Sequence, residues 1–273
     1  MKLNEIIQQA KEGFAPIPLT DAQKDSALAH LEKWLTEPQF EAYQPQIQYL
    51  AEQGEWSLLL DSFYRVIPFG TGGRRGRVGI GPNRINPYTI SSSVEGHVAF
   101  LKQCFPELNE YKVVIAYDVR QFHDINGTFD PNRPNPLLGK SSMDFAHMAA
   151  QVYAAHGVVS YLLSPEEGSY ISTPELSFLI RHYKAQGGLN VSASHNPPDD
   201  NGGKFYNEQG GQPIPPRDQE MSELVNKVTQ VQSIPFDEGV SKELIRWIPN
   251  SLRDDYVGVN LSIRLPEGKE SKD

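Results

Sequence analysis

Asn190-Val-Ser-Ala-Ser-His-Asn-Pro-Pro-Asp-Asp-Asn-Gly-Gly-Lys204 is the stretch on which the reading of this chain turns. Its first half, with Gly188, Leu189, Val191 and Ala193, is an apolar approach that reads as the end of a buried strand. Its second half has the Asn, Pro and Gly content of a loop that holds an awkward backbone course and offers polar groups at its tip. A serine released at the end of a strand, with a lysine brought back by a glycine pair, suits covalent or phosphoryl chemistry. His195 is the immediate neighbour of Ser194. Adjacent side chains rarely aim a base at a nucleophile, so an ordinary triad is not expected, and no Gly-x-Ser-x-Gly elbow surrounds the serine.

The segments upstream alternate between short apolar runs and helical periodicity. Val113-Val-Ile-Ala-Tyr117 and Val158 to Leu163 read as buried strands. Between them Phe145, Met148, Ala149, Val152 and Ala155 fall on one helical face, with Gly157 as the C-terminal stop. Ser172 or Thr173 offers a cap to a helix that carries Leu176, Leu179, Ile180 and Tyr183 inward, and Gly187-Gly188 is expected to end it. Asn86 and Pro87 open another helix, with Ile90, Val94, Val98, Leu101 and Phe105 on its buried face. This β-α-β-α-β order predicts an α/β fold: a three-layer α/β/α domain with a mixed, partly parallel sheet. Chemistry in such sheets gathers at the carboxyl ends of strands, where Asp118, Arg120 and Ser194 all fall.

Residues 1–60 read as a helical N-terminal extension, with Ala27, Leu28, Leu31, Trp34 and Leu35 at helical spacing after Asp21, a candidate N-cap. No chemical constellation stands out there. Residues 61–245 are assigned to the α/β domain and 246–273 to the start of a second domain or a tail. The 121–141 segment is rich in Asn, Pro and Gly and reads as a long surface loop. Beyond Lys204 the chain reads as loop through Pro216, then as a helix from about Asp218 to Val231, with residues 241–262 suggesting another helix and a new element.

At 273 residues the chain is long enough for a substantial core, and 38% hydrophobic with 22% charged residues is ordinary for a soluble globular protein. A formal net charge of −9 argues against nucleic acid and anionic membranes as partners, so an anionic ligand needs a local basic cluster. The single cysteine, Cys104, fits a reducing compartment and a core role. The N-terminus lacks the apolar core of a signal peptide and no apolar run reaches membrane-spanning length, so a cytoplasmic location is expected.

Ala193-Ser-His-Asn-Pro197, followed by Asn201-Gly202 and Lys204, closely resembles the active-site loop of the α-D-phosphohexomutases, the family that includes phosphoglucomutase and phosphomannomutase. Gly70-Thr-Gly-Gly-Arg-Arg-Gly76 looks like that family's N-terminal glycine loop, with Arg75 on its arginine. Its continuation through Gly79-Ile-Gly-Pro is similar to the longer phosphoglucomutase/phosphopentomutase branch. Tyr117-Asp118-Val-Arg120 matches a strand-end motif beside the family's site, where a structural ion pair and a substrate contact are equally open readings. The resemblance implies that Ser194 is the phosphoserine and Lys204 a proton carrier, with His195 orienting phosphate or moving a proton. It implies phosphate or substrate contacts from Thr71, Arg75, Asn196, Asp118 and Arg120.

The implied reaction is intramolecular phosphoryl transfer in a sugar phosphate such as glucose 1-phosphate, through a hexose bisphosphate that also primes the serine. Mg²⁺ is the implied cofactor, bridging the phosphate on Ser194. The family's Asp-Gly-Asp-x-Asp metal loop and Gly-Glu-x-Ser sugar loop do not occur here, and Asp199-Asp200 reads as a solvated turn rather than a substitute. The chain is therefore expected to be the N-terminal part of such an enzyme, weakly active or inactive alone, with the missing C-terminal domains as its partners if they are encoded separately. The rival reading is a non-catalytic module that keeps the loop as a sugar-phosphate cradle.

Overall fold

The computed structural model describes residues 3–70 and 72–264; Thr71, one of the expected phosphate contacts, lies outside the described residues. Four helices come first: α1 (Leu3–Phe14), α2 (Asp21–Thr36), α3 (Gln44–Glu52) and α4 (Trp56–Phe63). Thr20, not Asp21, caps α2. Its hydroxyl accepts from the Gln23 N–H while the Gln23 side chain accepts from the Thr20 N–H, a closed capping box that Asp21 is one residue too late to form. The apolar faces of these helices close on Trp34, whose ring stacks on Phe40 at 4.2 Å and meets Tyr88 edge-on at 6.1 Å.

The sheet domain then runs β1 (Gly73–Arg77), α5 (Pro87–Cys104), β2 (Tyr111–Tyr117), α6 (Ser142–Ala155), β3 (Val158–Leu162), α7 (Thr173–His182), β4 (Gly187–Val191), β5 (Asp200–Asn207), α8 (Arg217–Asn226), α9 (Phe236–Ser241), β6 (Ile245–Trp247) and α10 (Ser251–Arg264). Strand order is β1-β5-β4-β2-β3-β6. The four strands β4, β2, β3 and β6 are parallel, and β5 and β1 add an antiparallel ribbon at one edge. Alternation along β2 sends Val113, Ile115 and Tyr117 into the layer that contains α5 and α6, and Val114 and Ala116 into the layer that contains α7 and α10. The fold is the expected α/β/α sandwich with a mixed sheet. No helix among the described residues is long and apolar enough to cross a membrane.

Several local expectations need correction. The glycine-rich 70–76 segment and the 200–204 turn are not loops from end to end: residues 73–77 and 200–207 are β1 and β5, paired from Gly73↔Lys204 to Arg77↔Asp200. Their Gly, Arg, Asn and Lys content carries no strand pattern; backbone pairing and close approach make the ribbon. A Cβ on Gly73 would run into the Gly203 carbonyl oxygen, and one on Gly202 into that of Arg74. Gly73→Ala should therefore destabilise the fold by about 2–3 kcal/mol, read as a lower urea midpoint with unchanged slope.

Gly187-Gly188 does not stop α7, which ends at His182; both glycines lie inside β4, packed against Tyr206, His97 and Ile180. The helix expected to reach Val231 ends at Asn226. The 241–262 stretch holds the end of α9, then β6, whose Ile245 pairs with Ser160 so that the sheet continues across residue 245, and the expected helix follows as α10. Cys104 is half-buried at the end of α5, and burial pushes its thiol up, away from nucleophilic character.

Candidate active site

Ser194 lies three residues beyond the last residue of β4, exposed, with φ +56°. A left-handed serine costs about 1–2 kcal/mol and persists only where its surroundings impose it. The turn is closed from within by Ser192, whose hydroxyl accepts the Ser194 N–H at 2.9 Å, and by the Asn196 N–H donating to the Ala193 carbonyl at 3.1 Å.

Most of the imposition comes from Arg120. Its guanidinium donates to the carbonyls of Ser194 (2.8 Å), Asn196 (2.7 Å), Pro197 (2.5 Å), Pro198 (3.3 Å) and Asp200 (3.1 Å). Asp118 holds the other side of the same group at 3.3 Å. The Asp118 carboxylate also accepts from the Ser142 hydroxyl at 2.5 Å, and that hydroxyl accepts from the buried Asn201 amide at 2.9 Å. The motif at the end of β2 therefore fixes the course of the serine loop, with its charges turned onto backbone and onto each other. Asn196, also expected at the phosphate, donates its amide to the Asp200 carboxylate at 2.9 Å.

Asp199 and Asp200 are not a solvated turn. Both are buried. The Asp199 carboxylate accepts the N–H groups of Ile125 (2.8 Å) and His123 (3.4 Å).

Arg75 and Lys204 stand on one face of the β1/β5 ribbon. Arg75 is opposite Gly202 and Lys204 opposite Gly73, so the two cations are diagonal neighbours. Arg75 Nε is buried without a hydrogen-bond partner, and the Lys204 amine has no hydrogen-bond or ion-pair partner among the described residues. Burial lowers the Arg75 pKa, opposed by Tyr206 and Asp118 and reinforced by Arg120. Burial, then the charge of Arg75, lowers that of Lys204.

Because the folded chain binds the Lys204 proton less tightly than the unfolded chain, this lysine opposes folding below its depressed pKa. The penalty is relieved as pH rises toward the ordinary ammonium value of about 10.4. Arg75→Met removes the like charge, so the Lys204 side-chain NMR titration should move upward. An unmoved titration would mean the two cations do not sense each other.

His195 is exposed, its Nδ1 3.4 Å from the Ser194 hydroxyl oxygen, longer than a well-formed hydrogen bond. An exposed hydroxyl and an imidazole thus stand just past the end of β4, and two uncommitted cations on the ribbon that flanks that strand.

The donors needed for Mg²⁺ are a separate matter. Among the described residues no group of three or more His, Cys, Asp and Glu is placed to hold a metal ion. The two carboxylates nearest Ser194 in sequence are occupied by backbone and Asn196 donors. These residues do not make a Mg²⁺ site.

Ser192 and Ser142 are supports that the sequence reading missed, and Asn201, quoted in the motif, was given no role there. Ser192 carried a signal, a hydroxyl two residues before a strained position; Ser142 is distant in sequence, and its link to Asn201 and Asp118 is visible only in the fold.

Residues 140–232 match the family model for phosphoglucomutase/phosphomannomutase, alpha/beta/alpha domain I. A phosphoglucomutase of Staphylococcus saprophyticus is 31% identical over 197 residues, covering 71% of this chain and 31% of that protein. A human phosphopentomutase is 30% identical over 212 residues, 77% of this chain and 32% of the relative. A phosphoglucomutase of Staphylococcus aureus is 33% identical over 202 residues, 72% and 31% respectively. The chain spans about a third of the length of these curated relatives.

Proposed function

Since this chain carries the α/β/α domain I of the α-D-phosphohexomutase family, we propose that Ser194 is its phosphoryl carrier and that the ligand is a sugar phosphate, glucose 1-phosphate or a close relative. The observation that carries this reading is the pairing of a strained, exposed serine with two unpartnered cations on the adjoining ribbon. A serine hydroxyl is a weak nucleophile, but as a phosphate ester it carries about −1.5 to −2 charges and becomes a donor. Positioning and charge neutralisation are then what the protein must supply. Arg75 and Lys204 supply the charge locally in a chain of net −9.

In the loading direction the bond from phosphorus to a sugar oxygen of a hexose bisphosphate breaks as a bond from phosphorus to Ser194 Oγ forms. The serine proton ends on the sugar oxygen. Lys204, whose lowered pKa eases release of a proton, carries it across. In the reverse direction a sugar hydroxyl attacks the serine phosphate and its proton returns to Ser194 Oγ. His195 orients the phosphate from the exposed side. Arg120 and Asp118 hold the loop, so that Oγ is presented without a search through conformations.

The test is intact-mass analysis of the purified chain with and without glucose 1,6-bisphosphate. A single phosphoryl adduct that maps to Ser194 is expected. Saturable binding of the bisphosphate with no adduct would replace this reading with a non-catalytic sugar-phosphate module.

A further inference from the structure

The helical N-terminal extension contains no chemistry of its own, yet one of its side chains reaches into the sheet domain. Gln46 on α3 is fully buried. Its amide donates to the carbonyls of Asp130 (2.9 Å), Arg133 (3.0 Å) and Pro134 (3.3 Å), and its oxygen accepts the Asp130 N–H at 3.0 Å. Four bonds from one amide side chain satisfy a stretch of loop backbone that has no ladder to join. Outside this contact Arg133 pairs with Glu52 at 2.5 Å and lies over the Tyr49 ring, both on α3.

The loop so gripped is the 121–141 segment, and its other end is built into the serine loop. It starts directly after Arg120, the clamp on the Ser194 turn. Asp199 accepts its His123 and Ile125 N–H groups. Asp124, at φ +52°, links the two grips by accepting the N–H groups of Thr128 (3.0 Å) and Phe129 (2.9 Å). Phe122 and Phe129 are buried beneath, edge to face at 6.4 Å. A path of hydrogen bonds joined by single backbone steps therefore runs from α3 through Gln46, the loop and Asp199 to the segment carrying Ser194.

We propose that Gln46 is a positioning residue for the phosphoryl-transfer site: the extension holds the 121–141 loop in one conformation, and that loop in turn fixes Arg120 and Asp199 against the Ser194 turn. The inference rests on the reading of Ser194 as the phosphoryl carrier. It makes the extension a working part of the site, since a loop pinned at only one end leaves the left-handed serine free to relax.

Gln46→Met keeps the length of the side chain and removes all four bonds; Arg133→Ala removes the outer tie and tests the same grip without a buried change. At saturating glucose 1,6-bisphosphate, Gln46→Met should slow phosphoryl loading of Ser194 about tenfold, with the half-saturating concentration changed less than about twofold. Amide exchange across residues 192–200 should quicken by about tenfold in Gln46→Met and by less in Arg133→Ala. Phe14→Leu, which loosens the core of the extension without touching the loop, should lower Tm and change neither quantity.

Unchanged exchange across 192–200 in Gln46→Met, or an equal effect from Phe14→Leu, overturns the inference. A wild-type chain that accepts no phosphoryl group would instead sink the reading of the site, while the exchange measurement would still decide whether the extension holds the loop.

Discussion

Ser194→Ala is expected to leave the chain folded and unable to carry a phosphoryl group. Among the described residues the hydroxyl has one hydrogen-bond contact, His195 Nδ1 at 3.4 Å, so its loss should change stability by no more than about 0.5 kcal/mol. Alanine and serine meet similar difficulty at φ +56°, and the loop's course is set by Arg120 and by the Ser192 hydroxyl, neither of which the substitution touches. Loading from a hexose bisphosphate, by contrast, needs an oxygen at this position to become the new ester. No adduct should form at any concentration, with the thermal transition unmoved. An adduct of undiminished yield in Ser194→Ala would place the acceptor elsewhere.

Arg120→Met is expected to produce the largest combined loss. It withdraws a guanidinium from five carbonyls and leaves Asp118 without its cation. Both side chains are partly open to water (14% and 28% exposed), which softens the penalty of an unpaired charge. A cost of about 2–4 kcal/mol follows from the lost charged hydrogen bonds and the stranded carboxylate. Because the released turn no longer holds Ser194 in its left-handed conformation, loading should fall by a factor on the order of 100 beyond any loss of folded protein.

Arg120→Lys should recover little, since an ammonium group has three donors and no planar fork to span so many carbonyls. Urea denaturation and single-turnover loading, read on the same samples, separate the two effects. Full loading by a destabilised Arg120→Met chain would show that the clamp serves stability alone.

What could be read in advance divides along physical lines. The central strands β2 and β3 announced themselves because they are buried on both faces and carry short apolar runs such as Val113-Val-Ile-Ala, whereas β4 opens on two glycines and the edge strand β6 is too short and half-open to show a pattern. The caps at Asn86, Ser141 and Ser172 follow local rules that a linear pattern carries, although the Ser141 box was not singled out. The β1/β5 ribbon escaped because Gly-Arg-Arg-Gly-Arg against Asp-Asn-Gly-Gly-Lys has neither alternation nor branched residues. It exists because glycines let two backbones meet.

The same division holds at the site. Ser194, Arg75 and Lys204 were legible from motif and spacing. The assignment of Arg120 and Asp118 between ligand and scaffold was not, because it depends on where five carbonyls from residues 74–80 positions downstream turn. Gln46 was invisible for the same reason: a glutamine on a helix carries no sign that it will satisfy a loop 84 residues away.

The central claim is that Ser194 accepts and returns a phosphoryl group, and a load-and-chase measurement tests it most directly. The chain is loaded from glucose 1,6-bisphosphate labelled in its phosphates, freed of excess, and mixed with unlabelled glucose 1-phosphate. The account predicts one label per chain on Ser194 that leaves with the sugar as labelled bisphosphate. A label that never attaches, or that attaches and is not taken up by the sugar phosphate, would contradict it.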